Sequence, residues 1–349
     1  MSEYRSLAMS FRIEFDFHAA NNEGAGGTNV MEPRRITVGD KEHDGISGEM
    51  IRRHVLENFV KLCQRDNVAL HNRCKGLVPD RGREDLKSWM LKNAKDLPTK
   101  KVREKNISVL DPQHYPSTTQ ELVKNCALCD VGGFLIALEE ADGVLGVLKR
   151  DSCFEAGWLV SEHPAIVDYT QHSAYDPNPE KHNLFVQNLR VGIYGGVFRI
   201  DLDRVGRNDW WWLNTKSSSN KNGFEEYSVE LNERNKRIRL LLKGIREWLI
   251  SPSFAKQTGW LQHQSGLLEG SIVLSKDGSA PFVSPVKFML DNGRPTIGKN
   301  DNYRKTLSDI AGSSKYNCEK FDFNSPTELI EEMDKILKKF EGNQNQAKT

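Results

Sequence analysis

Net charge is nearly absent from this chain: 49 Lys and Arg stand against 48 Asp and Glu over 349 residues, leaving +1. A protein that coats polyanions by bulk positive charge is thereby excluded. Any such site has to come from local clusters, as at Arg34-Arg35, Arg52-Arg53 and Lys100-Lys101 with Arg103. Long apolar runs are missing too. None reaches the ~18 residues of a membrane helix, and the amino terminus, with Glu3 and Arg5 around short apolar patches, lacks a signal-peptide core. A cytoplasmic protein without membrane contact is expected. Cysteine is scarce: six residues, which at this length points to reduced thiols or metal ligands rather than a disulfide framework. The nucleotide fingerprints G-x-x-x-x-G-K-[ST] and G-x-G-x-x-G are absent, as is H-E-x-x-H. No helix-turn-helix or dimeric basic helix is legible, so a transcriptional regulator has little support.

What is present is organised around residues 13–62. Ile13, Phe15 and Phe17 alternate with Glu14, Asp16 and His18, the period of a half-buried strand. Asn21 to Asn29 break it with three glycines, whose bare N–H groups can approach an anion. Arg34 and Arg35 follow. After Asp44-Gly45, the spacing of Ile51, Val55, Phe59 and Leu62 predicts a helix with Ser47 as N-cap, and free N–H groups at such a start favour a phosphate. Arg52 and Arg53 lie about 100° apart on that helix, so only one of them can face a ligand. A plain connection between strand and helix would give the same loop composition.

A second signal is Cys126-x-x-Cys129, the spacing that puts two thiolates on one tight turn around a tetrahedral metal. Further ligands would be Cys74 with either His71 or Cys63, stapling the ends of the polar, proline-interrupted stretch between about residues 63 and 125. Packed, metal-free thiols are the alternative. His163, His172 and His182 have no metal-binding spacing.

Strand, Gly/Asn loop, Pro33-Arg34-Arg35 and Ile46-Ser47-Gly48-Glu49-Met50-Ile51-Arg52-Arg53 resemble the opening of the CRISPR-associated RAMP superfamily, nearest its Cascade backbone (Cas seven, or DevR) branch. Cys126-x-x-Cys129-Asp130-Val131-Gly132-Gly133-Phe134 looks like a variant of a Cys-x-x-Cys and Phe-Gly turn found in that superfamily. The resemblance implies an α+β fold: a modified RRM (ferredoxin-like) palm over residues 1–62 and 126–349, a fingers insertion over 63–125, and a thumb over 163–188. It further implies a non-catalytic subunit that binds CRISPR guide RNA, polymerises along it beside other Cascade subunits, and supports pairing of the guide with a target DNA strand. Asn21, Asn29, Arg34, Arg35, Ser47, Gly48, Arg52, Arg53, Gln171 and His172 are the implied RNA contacts. No cofactor is required; a structural zinc on His71, Cys74, Cys126 and Cys129 is the one that the cysteine spacing, not the resemblance, would allow.

The competing enzyme reading is a metal-dependent RNA-cleaving RAMP nuclease. RNA-cleaving relatives place an Asp in the loop after the first strand. The matching Gly27-Thr28-Asn29 has no carboxylate, although Glu23, Asp40 and Asp44 lie near. Elsewhere, residues 1–10 give no strand signal, and Phe134–Leu138 reads as a buried strand. Ser271–Leu274 and Val283–Leu290 read as a strand pair around Lys276-Asp277-Gly278. A long helix carries Leu231, Ile238, Leu241, Leu242, Ile245, Trp248 and Leu249 inward, its arginines and lysines expected in solvent or on RNA.

Overall fold

The computed structural model describes residues 3–18, 20, 22–23, 30–78, 80–174, 183–216, 224–253, 266–313 and 315–341. The chain opens with β1 (Ser6–His18), β2 (Asn22–Glu23), β3 (Val30–Pro33), β4 (Arg35–Val38), β5 (Lys41–Ile46) and α1 (Gly48–Arg65). It then runs through α2 (Asn72–Lys75), α3 (Arg83–Lys92), β6 (Thr99–Val102), β7 (Lys105–Val109), α4 (Tyr115–Asn125), α5 (Ala127–Gly132), β8 (Phe134–Leu138) and β9 (Val144–Arg150). β10 (Phe154–Ala156), β11 (Leu159–Pro164), β12 (Ile166–Ala174) and β13 (Asn183–Asp201) precede α6 (Leu231–Ile250). Last come β14 (Leu268–Ser275), β15 (Val286–Asp291), β16 (Arg294–Lys299), α7 (Tyr303–Ala311), β17 (Cys318–Phe323) and α8 (Pro326–Lys338). The α+β class expected from sequence is what forms.

The principal sheet has the order β17-β14-β1-β13-β11-β5-β4, with β3, β10 and β12 also paired to β13. β1 starts at Ser6, inside a segment that carries no strand signal. The reason is that both its faces are covered. Leu7, Met9, Phe11, Ile13 and Phe15 enter the main core, while Ala8 packs with Val273, Leu307 and Ala311 on the other side, so polar alternation is lost. β14 lies between β1 and β17, with Leu274 opposite Leu7 and Glu319. Ser271–Leu274 therefore does not pair with the residues after Val283. Those residues form a separate hairpin of β15 and β16.

A second sheet has the order β6-β7-β9-β8 and draws its strands from residues 99–150. β8 is half-buried rather than buried: Phe134, Ile136 and Leu138 point inward, while Leu135 is 69% exposed.

α1 and α6 cross closely against the principal sheet. A Cβ on Gly244 would stand 3.1 Å from the Phe59 nitrogen, so glycine sets the helix separation there. The Phe11 and Phe198 rings meet in a tilted contact, centroids 4.7 Å apart, and Trp248 of α6 lies against Phe198. Two arginines of α6 turn inward, contrary to the solvent placement expected for its basic residues. Arg234 donates to the Val205 carbonyl and lies over the Tyr227 ring. Arg237 is 1% exposed and donates to Asp130 (2.9 Å), Glu233 (2.9 Å) and the carbonyls of Val123 and Lys124.

Asp130 is the centre of that arrangement. Its carboxylate, fully buried, accepts from Arg150 (2.7 Å), Arg237 (2.9 Å) and the Gly206 N–H (2.9 Å). Arg150 spends its remaining donors on Asp209 and on the carbonyls of Asp130, Arg204 and Arg207. Asp130→Ala would leave two guanidiniums buried without their shared anion, and is expected to cost about 3–5 kcal/mol. Urea unfolding measures it; a loss under ~1 kcal/mol, the value of a surface pair, would refute the central role.

Candidate nucleic-acid interface and metal centre

The start of α1 is built as its sequence specifies. Ser47 caps the helix, its Oγ accepting from the Met50 N–H at 3.4 Å. Ser47 is only 5% exposed, however, and Gly48 is buried. A Cβ on Gly48 would sit 1.9 Å from the Ala156 carbonyl oxygen. The helix start is thus covered by the Ala156-Gly157 backbone, where Ser47 and Gly48, the expected phosphate contacts, are buried and the glycine admits a crossing chain.

The arginines fare differently. Arg34 lies 5.0 Å from the Trp158 ring, a cation–π contact. Arg35 is exposed and pairs with Glu42 across the β4–β5 hairpin. Arg52 is half-buried, while Arg53 is exposed and pairs with Glu57 at 3.1 Å. Exposed pairs of this kind are worth little, so their cations remain available to a stronger anion. Asn21 and Asn29 lie outside the described residues. Gln171 and His172 sit on β12, opposite Val186 and Phe185 of β13 in a regular antiparallel hairpin.

Asp44, one of the acids that a nuclease would need, is 2% exposed and fully engaged. It accepts from Arg190 (2.7 Å) and from the Tyr194 hydroxyl (2.6 Å). His18 continues the chain: its Nδ1 accepts from the Ala20 N–H, so Nε2 carries the proton and donates to Tyr194 at 2.7 Å. Burial pushes the Asp44 carboxyl up, against the downward pull of Arg190 and Tyr194, and burial with the adjacent Asp44 charge pushes the Tyr194 phenol up. Sequence reasoning missed this network, since Arg190 and Tyr194 lie far from Asp44 along the chain. Asp40 is exposed and paired with Arg294.

His71, Cys74, Cys126 and Cys129 converge, all buried, with their ligand atoms within 4.8 Å of one another. Cys63, the alternative fourth ligand, is outside the group. Cys74 Sγ is 3.7 Å from Cys129 Sγ, and His71 Nδ1 is 3.6 Å from the same sulfur. A tetrahedral zinc with Zn–S near ~2.3 Å and Zn–N near ~2.0 Å spaces its ligands by roughly 3.5–3.8 Å, so the donor set fits. His71 is the N-cap of α2 and Cys74 lies within it; Cys126 is the N-cap of α5, with Cys129 one turn on. Burial alone would raise the Cys126 thiol, but hydrogen bonds from Cys129, Cys74 and His71 outweigh it and hold it far below its ordinary value. The same Cys126 contact pushes Cys74 up to about 12. All six cysteines are free of disulfides, in keeping with their reading as thiols or ligands. No helix among the described residues is long and apolar enough to cross a membrane.

The profile of one protein family, described as CRISPR-associated negative auto-regulator DevR/Csa2, matches residues 9–290. No curated protein matches. Solved structures similar to this chain include one titled "CRISPR RNA-guided surveillance complex, pre-nicking", at 11% identity over 90% of each chain with a TM-score of 0.47. Another, a "CRISPR RNA-guided surveillance complex", is 10% identical over 95% of this chain and 98% of its own, with a TM-score of 0.41. Csc2 of Thermofilum pendens is 11% identical over 97% and 85%, with a TM-score of 0.37. With the matched span running from the central strand β1 through most of β15, this chain belongs to the CRISPR-associated DevR/Csa2 family.

Proposed function

We propose that this chain is a non-catalytic backbone subunit of a type I CRISPR surveillance complex of the Cascade kind. In this reading it binds the guide RNA, lines up with further copies of itself and other subunits along that guide, and supports its pairing with target DNA. The observation that carries the reading is the family match across residues 9–290. Three features agree with it. The principal sheet would be the palm, and the second sheet with its helices the fingers. The β12–β13 hairpin would be the thumb, with Gln171 and His172 on it. Asp44 spends both carboxylate oxygens on Arg190 and Tyr194 and so is a poor metal ligand, which weighs against the RNA-cleaving alternative. Guide-sized RNA co-purifying with the chain, uncleaved on adding Mg²⁺, is expected; cleavage would favour the nuclease.

Arg34, Arg35 and Arg53 are the cations best placed to meet an RNA backbone from the loop and first helix. Backbone contacts carry no base information. Arg53→Ala should weaken binding about equally for unrelated guide sequences and flatten the salt dependence by ~0.7 in slope, one phosphate on a single strand. Fluorescence anisotropy against salt, with a thermal melt alongside, measures this. An unchanged slope in folded Arg34→Ala, Arg35→Ala and Arg53→Ala variants would remove the stretch from the interface. Gly48→Glu should instead unfold the chain, because its side chain would meet the Ala156 carbonyl.

We also propose that His71, Cys74, Cys126 and Cys129 hold a structural zinc. When bound, the ion would supply folding free energy by joining α2 to α5. Elemental analysis should find about one zinc per chain, absent from the Cys126→Ser/Cys129→Ser variant. Since Cys74 is pushed up to about 12 without metal, binding must release its proton, and affinity should fall as pH is lowered. A metal-free wild type whose melting temperature is insensitive to added zinc would end this proposal.

A further inference from the structure

We propose that the free edge of β15 is a surface on which two copies of this chain pair, strand against strand, about a two-fold axis. β15 shares a sheet with β16 alone, so no strand lies beside its outer edge among the described residues. Three consecutive large apolar side chains stand on it: Phe288 is 77% exposed, Met289 42% and Leu290 68%. Such an edge is a template for pairing, and proteins ordinarily blunt it with charge or a covering group. Other sheet edges of this chain are treated that way. β6 carries Lys100 and Lys101, β17 carries Glu319 and Lys320, β4 carries Arg35, and at β8 the Arg83 guanidinium donates to the Ala137 carbonyl.

The turn fixes which main-chain groups the edge of β15 offers. Asn292 and Gly293 take left-handed angles, φ 51° and 80°, in a two-residue turn between the partners Asp291 and Arg294. The pair flanking such a turn is hydrogen-bonded and bonding then alternates along the strand, so Met289 and Lys287 also bond to β16. Phe288 and Leu290 turn their N–H and C=O groups outward. The residues opposite agree: Pro295, facing Leu290, has no N–H, and Ile297, facing Phe288, gives its N–H to His43 Nε2.

A second copy completes this edge in one register. Antiparallel pairing requires outward groups to meet outward groups, and placing Met289 on the two-fold axis sets Phe288 opposite Leu290 of the second copy. The same register sets Lys287 opposite Asp291 at both ends, so the run Lys287-Phe288-Met289-Leu290-Asp291 is complementary to itself read backwards. Moving the axis to Phe288 or Leu290 also keeps the bonding pattern, but then Lys287 or Asp291 faces Met289 and the charges go unmatched. Lys287 is exposed and has no ion pair among the described residues. Asp291 meets Lys41 at 2.6 Å in an exposed pair, which holds it weakly. Five residues a side fall short of a standard interface, so a Kd on the order of 1–100 µM is expected. An isologous contact closes at two copies. It is therefore distinct from a contact that repeats along a guide, and does not rest on that reading.

Sedimentation equilibrium of the full chain, treated with ribonuclease and freed of nucleic acid, tests this over roughly 1–200 µM. The mass should rise from 39.7 kDa toward twice that value and stop there. Lys287→Glu and Asp291→Lys, each alone, set like charges across both ends and should weaken the dimer roughly tenfold. An equimolar mixture of these two variants should dimerise again, because both ends are then opposite in charge. Phe288→Ser/Leu290→Ser should stay at the monomer mass with an unchanged melting temperature. Met289→Cys should give a covalent dimer on oxidation with copper phenanthroline, whereas Lys287→Cys, whose positions would lie roughly 14 Å apart in this register, should not. The proposal is overturned by a wild type that stays at 39.7 kDa throughout, by association that continues past two copies, or by charge variants that dimerise like wild type singly and gain nothing on mixing.

Discussion

A carboxylate with no access to water fixes three parts of this chain relative to one another. Asp130 belongs to α5, Arg150 closes the second sheet, and Arg237 comes from the long helix α6 on the principal sheet. Burying one such ion costs several kcal/mol, and the cost is recovered only when partners are placed well and every remaining donor is satisfied. Arg150 meets that condition, with acceptors for all its N–H groups in Asp130, Asp209 and nearby carbonyls. An apolar core would tolerate sliding between these elements; a saturated ionic one does not. Cys129 directly precedes Asp130, so whatever holds the cysteine cluster also holds this carboxylate.

Charge in this protein is segregated by depth rather than by sign. Arg150, Arg190, Arg234 and Arg237 are buried and work inside the fold. Arg53 and the cations at the β6–β7 tip lie outside it, in weak pairs or in none strong enough to hold them. A near-neutral total therefore hides two populations, one spent on structure and one left to meet polyanions.

Much of this was legible in local sequence. Ser47 before an apolar period gave the helix cap, and Cys126-x-x-Cys129 with His71 and Cys74 upstream gave the cluster. Apolar residues alternate along Leu189 to Leu202, within the long strand β13 and its end, and Gly196 there lies against Leu159 and Phe11. What escaped was set by partners distant in the chain. Nothing near Arg237 distinguishes it from the other cations of α6, because its acceptors are Asp130 and the end of α4. Asp44 could not be placed in its network without Arg190 and Tyr194, far along the chain. Gly48 suited an anion site by composition, and its packing against the Ala156-Gly157 backbone had no local signal. The start of β1 was hidden because it is covered on both faces, where alternation carries no signal.

The position of β1 has a consequence for how the chain acquires its fold. Its neighbours in the sheet are β13 and β14, so Leu7 waits for Ile200 and Leu274. Contacts this distant along the chain are slow to form. During synthesis the first strand leaves the ribosome early with no partner, its apolar residues uncovered. The second sheet, by contrast, draws all its strands from residues 99–150 and can close long before β14 is made. The second sheet is thus able to assemble first, and β1, made before its partners β13 and β14, is among the last strands to find its place.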